Sequence, residues 1–123
     1  MKRAVVLCLG VGLLATAAAA HHSFAVYDLE TNVELVGIVG TLKFRNPHIA
    51  MTLIGSEENG EEEIVYSLEG APANMLVRIG LTPAQVQPGE RIRVIASPRK
   101  DDQNVFLLKA IILKDGTRFQ ILN

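Results

Sequence analysis

At 123 residues the chain fits one domain on the usual scale of about 100–200 residues. Twelve Lys and Arg against 13 Asp and Glu give a formal net charge of -1, and aromatics are 5% with no Trp. That balance argues against the basic footprint of a nucleic-acid binder and the stacking surface of a single-strand binder, while 49% hydrophobic residues argue against disorder.

Met1-Lys2-Arg3 is a short basic start, followed by an apolar run from Ala4 to Leu14 and the small-residue stretch Ala15–Ala20. This is the layout of a secretory signal peptide, with a cut after Ala20. As a membrane anchor the run is too short, because spanning about 30 Å of hydrocarbon takes about 20 apolar residues. Cys8 is preceded by Leu7 rather than a small residue, which disfavours a lipoprotein signal. Residues 1–20 are therefore expected to leave, and 21–123 to form a single periplasmic domain that does not span the membrane. That mature chain has no thiol and carries a net charge of -3, because Lys2 and Arg3 depart.

Beyond the signal, Val33–Phe44 is rich in β-branched and aliphatic residues and reads as a strand. Gly37 and Gly40 inside it suggest a bulge or tight bend, as at a barrel corner. Asn46-Pro47-His48 interrupts the pattern, since Pro cannot donate to a central ladder. Ile49–Ile54 is a second strand, Gly55–Glu61 a polar hairpin loop and Glu62–Leu68 a third strand, with Ile64, Tyr66 and Leu68 on one face. Ala71–Gly80 changes period: Met75, Leu76 and Ile79 form one apolar face of a short helix, with Pro72 in its first turn and Gly80 at its stop. Thr82-Pro83-Ala84-Gln85 has the form of a capping box. Arg91–Ser97 alternates, placing Ile92 and Val94 inward, and Val105–Leu113 and Thr117–Leu122 follow as strands. Three strands, a helix, then two or three strands predict a mostly β protein: a small OB-like barrel of five to six strands. A small open α+β sheet is the runner-up.

The three histidines carry most of the functional argument. His21 and His22 stand at the expected new N-terminus, and His48 follows Asn46-Pro47. An N-terminal His offers its α-amine and ring Nδ1 to one metal ion, and a further imidazole from His22 or His48 completes three nitrogens. Such a set suits Cu(II), which heads the divalent affinity order. It is similar in type to the histidine brace of certain exported copper proteins. A cut after Ala19 would instead place His22 third, giving an amino-terminal Cu(II)/Ni(II) motif. Set against both is a solvated tail, since chain ends are usually disordered unless tied down. Asp28 and Glu30 could orient an imidazole, although surface carboxylates are usually just solvated. Phe24 and Tyr27 read as packing residues, and Glu57, Glu58, Glu61, Glu62 and Glu63 as a solvated hairpin tip. No serine sits in a Gly-x-Ser-x-Gly setting and no Gly-rich loop opens a helix, so no enzyme is predicted.

Taken together, His21-His22-Ser23-Phe24, Asn46-Pro47-His48, Glu69-Gly70, Leu76-Val77-Arg78-Ile79-Gly80 and Pro88-Gly89-Glu90 resemble a family of short exported bacterial proteins of unknown function. The resemblance implies an exported OB-like domain and brings no established activity. The expected function is Cu(II) binding through His21, His22 and His48 for buffering, delivery or sensing. The alternative is a metal-free OB-like module holding a protein or small ligand in the cell envelope. An oxidative copper enzyme is a distant third.

Overall fold

The computed structural model describes residues 24–56 and 62–123. Six strands run in chain order as β1 (Val33–Lys43), β2 (Ala50–Ser56), β3 (Glu63–Glu69), β4 (Arg91–Pro98), β5 (Val105–Ile112) and β6 (Arg118–Gln120). Between β3 and β4 lie the helix α1 (Ala73–Arg78) and a 3₁₀ turn at Pro83–Gln85. The sheet order is β3-β2-β1-β4-β5-β6, and a parallel pairing of Ser67–Glu69 with Val105–Leu107 joins β3 to β5. This closes five strands into a barrel with β6 added outside, the OB-like arrangement expected from the order of elements. Closure removes most of the sheet edge that would otherwise be exposed.

Alternation along β1 makes the barrel possible. Val39 and Leu53 pair across β1 and β2 and are buried, whereas Ile38 and Ile54 pair on the outer face. At Gly40 the register shifts, so that Thr41 rather than Gly40 pairs with Thr52. The bend expected from the two glycines is therefore a bulge at Gly40. At Gly37 the reason for glycine is close approach: a Cβ there would run into the carbonyl oxygen of Ile54.

One continuous core fills the barrel, including Ile49, Leu53, Val94, Leu108 and Ile111. Tyr66 and Phe106 meet edge to face across the β3–β5 closure, with ring centroids 5.7 Å apart. The helix is shorter than the expected Ala71–Gly80 and buries only Leu76, while Met75 and Ile79 are each 39% exposed. Six residues make less than two turns, so one side chain reaches the barrel end and its apolar neighbours remain in solvent. Its stop is as predicted. Gly80 has φ +89°, its N–H donates to Val77 O, and Leu81 N–H donates to Leu76 O at 3.0 Å, a Schellman closure with Leu76 and Leu81 both buried. The Thr82–Gln85 capping box is also present. No described helix is long and apolar enough to cross a membrane.

Candidate functional site

His48 lies on the β1–β2 connection, which is tied down on both sides of it. Ahead of it, the Asn46 side-chain carbonyl accepts the Asn74 backbone N–H at 3.2 Å. Pro72, at the helix N-cap, makes no side-chain cap hydrogen bond, so Asn46 supplies from a distant loop one of the partners that the first turn of α1 lacks. Behind it, Ile49 is fully buried, its N–H donates to Ala71 O at 3.1 Å and its carbonyl accepts Gly70 N–H at 3.0 Å. These anchors fix the backbone while leaving the His48 side chain exposed.

The segment leading to β1 is equally well held. Residues 24–32 lie as a strap along β4 and the β4–β5 connection. Asp28 N–H donates to Pro98 O, Lys100 N–H to Val26 O and Lys100 Nζ to Ala25 O. Ser97, fully buried, donates its hydroxyl to Thr31 O at 2.9 Å. Lys109, also buried, donates from Nζ to Leu29 O at 3.0 Å and Asn32 Oδ1 at 2.9 Å. Tyr27 is only 4% exposed and donates its hydroxyl to Glu69 Oε2 at 2.8 Å. Burial first, and then the adjacent Glu69 carboxylate, disfavour the phenolate and push the Tyr27 phenol up to about 12.

The strap brings Phe24 and Tyr27 against the His48 loop. Phe24, Tyr27, His48, Glu69, Gly70 and Leu107 enclose a cavity of about 20 Å³. That is room for about one water-sized species. Asp28 is engaged within its own turn, where the Thr31 hydroxyl donates to its carboxylate at 2.6 Å and holds it below the usual carboxylate range. Glu30 is exposed in the same turn, and Glu62 and Glu63 are exposed at the start of β3. Among the described residues no three His, Cys, Asp or Glu side chains come together as a metal site. Residues 1–23, which include His21, His22 and the segment expected to be a signal, and residues 57–61 of the acidic tip lie outside the described residues.

A second concavity adjoins the first and shares Tyr27 and Glu69 with it. It has a volume of about 320 Å³ and opens on the outer face of β1, β2 and β3. Lys43, Ala50 and Glu69 form one cross-strand row there, and Thr41, Thr52 and Ser67 form the next. Arg99 stands at its wall, with its guanidinium bonded to Asp101 at 2.6 Å. This ion pair holds the Asp101 carboxyl below its ordinary range.

Sequence reasoning singled out His48 as a candidate and read Phe24 and Tyr27 as packing residues, and Tyr27 is buried and Phe24 half-buried. It missed Glu69, Lys43, Arg99 and Lys109 as site or anchor residues. For Glu69 a signal existed, because the inward alternation of Ile64, Tyr66 and Leu68 turns Glu69 outward. The Tyr27–Glu69 bond links positions 42 residues apart, and no local pattern announces it.

No curated protein matches the chain. In structure it is similar to the mitochondrial single-stranded DNA binding protein Rim1 of S. cerevisiae, with a TM-score of 0.52 and 13% identity, covering 68% of this chain and 93% of that one. At that identity the likeness speaks for the fold alone, an OB-like barrel. In sequence, a family model matches residues 10–107, and the chain thus belongs to a family of unknown function, DUF6152.

Proposed function

We propose that this is an exported periplasmic protein that binds one Cu(II) ion, with His21 as its mature N-terminus. The ligands are the α-amine and ring of His21 with the imidazole of His22 or His48. The observation that carries this reading is the cavity shared by Phe24 and His48, of about 20 Å³. Three Cα steps of about 3.8 Å each link His21 to Phe24, so the chain allows both early histidines to reach the His48 imidazole. Amine and imidazole nitrogens suit Cu(II) by ligand type. The role is binding, for buffering, delivery or sensing, rather than catalysis.

Intact mass of the exported protein, followed by Cu(II) titration monitored by electron paramagnetic resonance, tests this. The expected result is a chain starting at His21 that binds one copper, with nitrogen hyperfine structure reduced in His48→Ala and tight binding abolished in His21→Ala. Unchanged affinity in His21→Ala overturns it. A start at Ala20 with binding indifferent to His48 supports the amino-terminal motif instead. Failure of copper to bind favours the metal-free envelope module, for which the groove of about 320 Å³ provides a site. Nucleic acid is not proposed as a partner, given the net charge of -1 and the 5% aromatic content.

A further inference from the structure

We propose that the groove over β1–β3 binds a small zwitterion of the amino-acid type, its carboxylate on Lys43 and its ammonium on Glu69. This rests on the reading of the barrel as a small-ligand module and is independent of copper.

Ala50 pairs with Lys43 on one side and with Glu69 on the other, so two opposite charges straddle one small, exposed side chain. Neighbouring strands are about 4.8 Å apart, which sets the Lys43 and Glu69 backbones about 10 Å apart. Lys43 and Glu69 make no ion pair with each other; the described ion pairs are Arg93–Glu34 and Arg99–Asp101. A larger residue at position 50 would fill the space between them. Glu69 uses Oε2 to accept from Tyr27, which orients the carboxylate and leaves Oε1 for a ligand ammonium. Arg99 spends Nε and Nη2 on Asp101 and keeps Nη1 as a second donor for a ligand carboxylate.

The row next to these charges is made of hydroxyls. Thr41 and Thr52 hydrogen-bond each other through their hydroxyls at 3.0 Å, and Ser67 lies beside them without a side-chain hydrogen bond among the described residues. Met51 and Leu68 also line it, as buried members of the barrel core between the two rows. A volume of about 320 Å³ is at the low end of the roughly 300–1,000 Å³ of small-molecule sites, which suits a metabolite rather than a polymer. A ligand with only an anionic group would leave Glu69 facing a like charge, and one with only a cationic group would leave Lys43 so. The pair therefore selects for both charges in one molecule.

The test is ¹⁵N–¹H NMR titration of the metal-free mature protein with three probes: L-alanine, N-acetyl-L-alanine and L-alaninamide. We expect L-alanine to shift the amides of Lys43, Ala50 and Ser67 in a saturable way, and each analogue lacking one charge to bind at least about tenfold more weakly. Lys43→Gln and Glu69→Gln should each weaken L-alanine binding by about tenfold or more. Glutamine at position 69 still offers Tyr27 an acceptor, and Lys43 is exposed, so both variants should retain the wild-type spectrum elsewhere. Equal binding of N-acetyl-L-alanine or L-alaninamide overturns the zwitterion assignment but leaves a ligand-binding groove. No groove response to any of the three probes overturns the zwitterion site and the small-ligand module together.

Discussion

β5 and β1 are both strands of one barrel, yet they meet solvent in opposite ways. From Phe106 to Ile112 every residue of β5 is buried, whereas β1 alternates, and its outward Val36 and Ile38 are 45% and 42% exposed. The difference lies in what covers the outer faces. The strap of residues 24–32 lies against the outer side of β5, where Lys109 holds it, and the chain end docks there, with Ile121 N–H and Leu122 N–H both donating to Lys109 O. Among the described residues nothing comparable covers the outer face of β1, β2 and β3. One side of the barrel is thus committed to holding the N-terminal segment beside His48, and the other is left open as a groove.

Two consecutive residues of β5 test that division. Leu108 is fully buried in the barrel core, and Leu108→Ala should destabilise the fold by about 3 kcal/mol, read as a lower denaturation midpoint with unchanged slope. Lys109 points the other way. The β4–β5 pairing goes from Leu108 to Ala110 and skips Lys109, so the strand bulges there and the lysine turns out under the strap. Lys109→Met keeps most of the apolar stem but removes the ammonium that bridges Leu29 O and Asn32 Oδ1. We expect a loss of about 2 kcal/mol. Hydrogen exchange should rise in residues 25–32 while the core amides of β1 and β2 change little. An equal rise throughout the barrel would mean that the strap and the barrel open as one unit.

The same contrast explains what could be read from the sequence. β3 and β4 carry their alternation openly, so their faces and nearly their ends follow from period two, whereas β1 reads as a strand from its β-branched content alone, its outward Val36 and Ile38 being as apolar as its inward Val39. The apolar run of Val105–Leu113, broken only by Lys109, announces a strand covered on both sides, but nothing in it says by what. The cover is a segment about 80 residues earlier, joined through backbone carbonyls that any sequence possesses. Lys109 consequently reads as an interruption of a strand rather than as an anchor. The helix misleads in the other direction: Met75, Leu76 and Ile79 suggest a face, but the barrel end has room for Leu76 alone. At the candidate site, His48 was legible from its residue type and its neighbours. Glu69 and Lys43 become meaningful only once the register sets Ala50 between them.

Tyr27 joins the two sides, since its ring belongs to the covered strap and its hydroxyl ends on Glu69 at the edge of the open groove. Tyr27→Phe should therefore have the smallest of the three effects at neutral pH, about 1 kcal/mol for one lost hydrogen bond. Its clearest signature is alkaline. The Tyr27 phenol is pushed up to about 12 in the folded protein from an ordinary value of 10.0. Below pH 10 the proton is bound in both states and the contribution of Tyr27 to stability is whole. Between 10 and 12 the unfolded chain releases the proton while the folded chain keeps it, so stability falls as pH rises. Wild-type protein should lose stability more steeply than Tyr27→Phe across that window in denaturant titrations at successive pH values. Parallel curves would mean that the phenol ionises as readily in the fold as out of it, and hence that the strap lifts from Glu69 without unfolding the barrel.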